Sequence, residues 1–224
     1  MLFPTQARFR HRLFAHHLPL FAVSAISVAT LYATRPYRDV LSRASFATAY
    51  PALLLLALTL LLGPWRLLRR QRNPVSDDLR RDIGIWAGAL GALHAGVGQF
   101  VHLRGRPWLY YVYGLPSRHT FPLRHDLFGL GNYTGLVATL LLLALLATSS
   151  DYALRAMGTP RWKQLQRWNY AVFGFTVIHA AAYQLTEKQK LPWILIVAGA
   201  AVATIALQVI GFRERRTTLS AAGR

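Results

Sequence analysis

The sequence predicts an all-α polytopic membrane protein, a bundle of six transmembrane helices with both termini cytoplasmic. Three observations predict it. Of the 224 residues, 54% are hydrophobic and only 15% charged, with a positive mean hydropathy of +0.28; a soluble domain of this length shows more charge and shorter apolar runs. Six runs are each long enough to cross about 30 Å of hydrocarbon at about 1.5 Å per residue. The connections between them are short and leave no room for a soluble domain.

The first run, 13–33, follows Arg8, Arg10 and Arg12, as the core of a secretory signal would. Its apolar part is longer than the roughly 7–15 residues of a signal core, and no persuasive small-residue cleavage site ends it, so a retained helix is expected. Residues 1–12 are then a basic cytoplasmic arm, and His16 and His17 fall in the first turns of the helix. The second run is 45–63 and the third 83–101, the third starting just after Arg80 and Arg81. The connection that follows, 104–126, is the one long loop; its Trp and Tyr residues suit an interfacial segment on the outer face, and it carries His119 and His125. The fourth run is 127–147, the fifth 168–185, which starts just after Arg167, and the sixth 193–212. A short basic tail, 213–224, completes the six-helix domain of 13–212.

Orientation follows from the basic residues. The N-terminal arm, the second and fourth loops and the tail carry 17 of the 26 Lys and Arg residues, and the other three loops carry 9. The side with the excess is the cytoplasmic one, which puts the chain in the inner membrane of the cell with both termini inside. This asymmetry and attraction to anionic head groups account for the net charge of +18. Nucleic-acid binding is a poor explanation, since the basic residues flank spans and form no separate domain. The chain has no cysteine, which excludes disulfides, iron–sulfur clusters and covalently attached c-type haem. No glycine-rich nucleotide motif follows a predicted strand, so flavin or nucleotide chemistry is expected to come from another polypeptide.

Two histidines stand inside apolar runs. His94 lies in GALGALHAGVG (88–98) and His179 in AVFGFTVIHAAAY (171–183). His94 is 13 residues beyond Arg81 and His179 is 12 beyond Arg167. Both imidazoles are therefore roughly 18–20 Å from the inner boundary, at one level in the outer half of the bilayer. An ionisable residue at that depth is costly and has a partner or a function. Two at matching depth suit the axial positions of one b-type haem, because neutral histidine is a good iron ligand. The neighbours, Gly88, Gly91, Gly96 and Gly98 on one run and Gly174 and Ala180 to Ala182 on the other, leave room for a flat macrocycle. The competing reading is that small residues let helices pack closely and each histidine bonds a neighbouring carbonyl. A zinc or copper site is disfavoured, because no third ligand sits at that depth; His102 is about 12 Å further along its helix.

These motifs carry a resemblance. LRRDIGIWAGALGALH (79–94) resembles the arginine-pair, glycine and leucine-histidine pattern of ferric-reductase-like transmembrane domains. LLALLATSS (142–150) and MGTPRWKQLQRWNYAVFGFTVIHAAAY (157–183) resemble the haem-binding membrane subunits of bacterial methionine sulfoxide reductase systems, the MsrQ or YedZ type. The likeness runs from about residue 44 to 212. It implies a membrane cytochrome with haem b on His94 and His179, reduced at the cytoplasmic face by a flavin reductase or by quinol. FMN or a quinone would bind at that face, and the electrons would pass to an outer-side oxidoreductase or a ferric chelate.

The sequence departs from that pattern at one position. Where the family has W-x-x-L-H, with the next histidine 13 residues on, this chain has Trp162 and Leu165 followed by Gln166, and His179 stands 13 beyond. Glutamine is a poor haem ligand, so a second haem near the inner face is in doubt; His16 or His17, on the same side, are the candidates to replace it. Arg81, with Arg80, is either an interface anchor or a bidentate partner for propionates or for an anionic flavin or quinone group, which Arg167 and Trp168 would join. Two other functions compete with the cytochrome: a transporter with the histidines as proton relays, and a haem-free scaffold with the histidines used for packing. The transporter lacks intramembrane carboxylates, an inverted repeat and broken helices in its favour. No acid–base pair or nucleophile constellation predicts chemistry within the chain itself, so any enzymatic activity belongs to an assembled oxidoreductase system.

Overall fold

The computed structural model describes residues 3–37, 39–69, 77–103, 106–115 and 119–222, and these are helical apart from short connections. Helix α1, Phe3–Arg12, runs through one π-helical turn, Leu13–His17, into α2, Leu18–Thr34. Then come α3 (Val40–Leu68), α4 (Asp77–Gly98), α5 (Leu127–Ala147), α6 (Asp151–Met157), α7 (Thr159–Gln166), α8 (Asn169–Thr186) and α9 (Leu191–Ala222). Among the described residues no strand forms; Val112 and Leu123 make one isolated antiparallel bridge in the long loop.

Local chemistry sets these boundaries. Asp39, Asp126 and Ser150 each precede a helix and accept a hydrogen bond from the backbone N–H three residues on, at 2.8, 2.7 and 3.1 Å, which satisfies one of the free donors of the first turn. Gly158 adopts φ +72°, a conformation other residues reach only with strain, and separates α6 from α7; Pro160 then fits the first turn of α7, where no N–H is needed. At the far end of α4, Tyr110 is buried to 1% exposure. Its hydroxyl donates to the Gly98 carbonyl at 3.0 Å and accepts from the His102 N–H at 2.9 Å. The long loop thus folds back onto the helix end, while its Trp108 stays exposed as an interfacial side chain would.

The six long helices coincide with the six runs. Four of them are long and apolar enough to cross a membrane: Arg8–Thr34, Val40–Leu68, Leu127–Ala147 and Leu191–Arg216. α4 and α8 are not among the four. They are the helices that carry His94 and His179, and α4 also begins with a cluster of charge, so their polar groups lower their hydropathy.

Helix α3 is central. Its Leu53, Leu56 and Leu60 pack with Ile83, Ala87 and Leu90 of α4, Val172 of α8 and Val197 of α9. The most extensive helix pairings are α3 with α4 and α5 with α8, and α9 and α2 lie against α3. On the other side of α2, α5 and α9 the surface is apolar: Ile26, Leu140, Val202 and Ile205 are all about 60% exposed. A face of that kind is stable against hydrocarbon and not against water. Two substitutions distinguish these environments. Leu60→Ala, at a side chain with 0% exposure, is expected to cost about 2–5 kcal/mol. Leu140→Ala, on the apolar surface, is expected to stay within about 0.5 kcal/mol; denaturant unfolding in detergent micelles, followed by circular dichroism, checks both.

Candidate cofactor site

α4 and α8 bring His94 and His179 together, as their matching depths predict. The ring centres are 6.0 Å apart with the planes at 75°. His94 Nδ1 lies 2.9 Å from the Ser45 carbonyl oxygen on α3, and His179 Nδ1 lies 2.7 Å from the Gly131 carbonyl oxygen on α5. A carbonyl only accepts, so in both rings Nδ1 carries the proton and Nε2 is the basic nitrogen. Among the described residues no hydrogen bond engages Nε2 of either ring.

The helices expose those two carbonyls for a steric reason. A helical side chain leans back over the turn before it, so the residue four positions on covers a given carbonyl. Four positions beyond Gly131 is Gly135, and a Cβ there would meet His179 Nδ1 at 2.6 Å. Four beyond Ser45 is Ala49. Each imidazole therefore reaches a main-chain oxygen through a gap left by a small residue. Sequence reasoning missed Gly135, although Gly131 and Gly135 form the G-x-x-x-G spacing that marks close helix approach in an apolar run.

Around the rings is a cavity of about 700 Å³ between α3, α4, α5 and α8. The small residues flagged in the sequence serve in two ways. Gly96, Gly98 and Ala180 line the cavity, and a Cβ on Gly96 would meet nothing within 4 Å. Gly88 instead admits Leu146 of α5, at 3.2 Å from a hypothetical Cβ, and Gly91 does both: it lines the cavity and admits Leu142 of α5, at 2.6 Å. Among the described residues no group of three or more His, Cys, Asp or Glu is placed to hold a metal ion.

The other expected site residues lie apart from this cavity. Asp82, at the start of α4, has a side chain with 0% exposure and gathers three of them or their neighbours. Arg12 grips both of its oxygens, His16 Nδ1 lies 2.7 Å from Oδ2, and His17 Nε2 lies 3.4 Å from Oδ1. His17 Nδ1 accepts from Trp86 Nε1 at 3.3 Å, so both of its nitrogens are engaged. The π turn at Leu13–His17 adds one residue to a turn and brings Arg12, His16 and His17 to the same carboxylate. One turn earlier Arg8 grips Asp78 in the same way, at 3.0 and 2.7 Å. The hydrogen bonds from Arg8 hold the Asp78 carboxyl below its ordinary pKa. Arg8 and Arg12 thus match Asp78 and Asp82 at equal spacing, a signal that can be read in the sequence.

Arg81 is buried, 2.6 Å from Asp151 and 3.5 Å from Asp78. Its Nε has no hydrogen-bond partner, and neither does Nε2 of Gln166, at the end of α7. The structure therefore places Arg81, His16 and His17 in one charged network at the end of the bundle away from the long loop, and keeps His94 and His179 in the cavity.

Comparison with known proteins decides the family. No family model matches the chain. Proteins of Yersinia pseudotuberculosis serotype O:1b and Yersinia pestis strain Pestoides F are each 32% identical to it over 190 residues, 84% of this chain and 82% and 81% of theirs. Both bear the name protein-methionine-sulfoxide reductase haem-binding subunit MsrQ. The chain belongs to the MsrQ family. Gln166, expected from the resemblance to be a departure, has its amide nitrogen buried without a hydrogen-bond partner. The charged network gives a measurable contrast. Asp82→Ala leaves three part-buried partners, Arg12, His16 and His17, without their carboxylate and is expected to cost about 3–5 kcal/mol. Asp78→Ala, whose partner Arg8 is 56% exposed, is expected to cost less than about 1 kcal/mol; thermal unfolding of the two variants in detergent measures the difference.

Proposed function

We propose that the chain is the membrane cytochrome b subunit of an oxidoreductase system. It crosses the inner membrane six times with both termini cytoplasmic, and it holds one haem b between His94 and His179. Electrons come from a flavin reductase or quinol at the cytoplasmic face and go to an oxidoreductase or a ferric chelate at the outer face. The observation that carries this reading is the imidazole pair, fixed by backbone carbonyls in a cavity of about 700 Å³ with ring centres 6.0 Å apart. Two imidazoles sharing one metal ion, each with nitrogen about 2 Å from it and ring centre about 1 Å further, stand about 6 Å apart. The donor set therefore fits an iron with two axial histidines. The relatives' name, a haem-binding subunit, points the same way.

When bound, haem b supplies a buried one-electron carrier between the two faces. The residues of this chain bind and insulate it. The Ser45 and Gly131 carbonyls fix the tautomer of each ring, which keeps Nε2 basic and aimed away from the carbonyl. Leu53, Leu56, Leu142 and Val172 line the inner part of the cavity and exclude water from that side. One haem is proposed rather than two, because Gln166 is a poor ligand and Asp82 already holds His16 and His17. At the inner face Arg81, His16 and His17 act as framework beside the place where FMN or a quinone docks. The six crossings are supported by where α4 and α8 keep their polarity: His94, Gln99, His179 and Gln184 all face the cavity.

The test is the reduced-minus-oxidised absorption spectrum of the purified protein, with haem quantified per chain. A b-type spectrum near one haem per chain is expected, lost in His94→Ala and in His179→Ala. A colourless protein after expression with ample haem would sink the reading, and two haems per chain would sink the single-haem part. Topology has its own test, because the chain has no cysteine to interfere. A membrane-impermeant maleimide applied to spheroplasts is expected to label Thr120→Cys, in the long loop, and to leave Tyr152→Cys, on α6, unlabelled until the membrane is opened.

A further inference from the structure

The cavity is graded in polarity along its length. Toward the inner end it is lined by leucine, valine and alanine, and toward the outer end by Tyr37, Ser42, Gln99, His102 and Gln189. A haem is graded as well: one edge is hydrocarbon and the opposite edge carries two carboxylates. Burying those carboxylates against leucine is prohibitive, whereas polar donors at the outer end can receive them. The carboxylate edge therefore belongs near the outer mouth, and it needs a cation there.

Most cations near that mouth are engaged. His102 faces Glu187 at 3.3 Å, Arg124 faces Asp126 at 2.6 Å, and Arg43 donates through Nε to the Tyr37 carbonyl. Arg35, in the connection between α2 and α3, is different. Its guanidinium carbon lies 3.4 Å from the centre of the Phe46 ring and 4.2 Å from that of Trp193. One of its terminal nitrogens donates to Gln189 Oε1 at 3.3 Å, and Gln189 in turn donates to the Tyr37 hydroxyl at 3.2 Å. Its Nε is buried with no hydrogen-bond partner, and among the described residues no carboxylate pairs with it. Burial accordingly pushes the guanidinium below its ordinary pKa, with only Tyr37 and Tyr50 acting the other way. Phe46, Tyr37 and Gln189 all belong to the cavity wall. A part-buried cation backed by aromatic faces, with its Nε donor buried and unfilled and a polar cavity beside it, is suited to an anionic partner.

We propose that Arg35 is the anchor of the haem carboxylate edge, receiving a propionate at the outer mouth with Gln189 and Tyr37 holding the guanidinium in place. The inference rests on the haem reading above and adds to it the orientation of the macrocycle, carboxylates outward. Arg35 is a binding residue in this assignment, and the two histidines remain the iron ligands.

The experiment compares two ligands on the full-length apoprotein in detergent: ferric protoporphyrin IX haem and its dimethyl ester, in which both carboxylates are blocked. Wild type is expected to bind the free acid at least about tenfold more tightly than the ester, the scale of a buried charge-assisted pair. Arg35→Gln is expected to lose that preference while binding the ester within about twofold of wild type, and Arg35→Lys to keep part of it. An Arg35→Gln variant that prefers the free acid as strongly as wild type does overturns the assignment. So does a wild type that binds acid and ester equally, a result that requires no variant to fold. Failure of wild type to bind either form refutes the haem reading, and the anchor falls with it. Binding of both forms without discrimination refutes the anchor alone.

Discussion

An imidazole among apolar helices must give one nitrogen to a hydrogen-bond acceptor, and the acceptors on offer are main-chain carbonyls already inside helices. That constraint organises the molecule. His94 of α4 reaches the Ser45 carbonyl of α3, and His179 of α8 reaches the Gly131 carbonyl of α5. Those same two pairs, α3 with α4 and α5 with α8, are the most closely associated helices of the fold. Each pair is thus cross-linked by one histidine toward the long-loop end of the bundle, and the cavity lies between the pairs with the two rings 6.0 Å apart across it. The protonated Nδ1 gives each pair its register, and the free Nε2 gives the cavity its chemistry.

Much of this was legible. Counting residues from Arg81 and Arg167 placed the two histidines at one depth, and the rings are indeed neighbours. The six apolar runs became the six long helices, although only four stand out by length and apolarity. What the sequence concealed was pairing. Glycine at 88 reads the same whether a neighbour's leucine or a cofactor fills the space, and here Leu146 of α5 does. The role of Gly135 depends on which helix lies opposite it, a fact that no periodicity contains. Arg35 read as one more loop cation, because an aromatic cage drawn from residues 37, 46 and 193 exists only in the folded chain.

The two ends of the bundle are fastened by different physics. At the end that holds Asp82, a buried carboxylate and a matched arginine ladder tie the N-terminal helix to α4, over a sequence separation of 70 residues. Such a network is costly to break and specific in geometry, so it fixes where the first helix sits more than it adds net stability. At the other end, neutral groups serve beside two more exposed pairs, His102 with Glu187 and Arg124 with Asp126: the Tyr110 hydroxyl closes α4, and Tyr133 donates to the Tyr111 carbonyl. His16 and His17 belong to the first kind of fastening.

The two-pair architecture also has a consequence in time. α3 and α4 are consecutive in the chain, whereas α5 and α8 are separated by α6 and α7. A ribosome working at about 5–20 residues per second completes the first pair, with His94 already set against its carbonyl, well before the second. His179 follows 85 residues later, an interval of about 4–17 s at that rate. For those seconds the nascent protein is a half-built socket with one imidazole in position and its opposite wall missing.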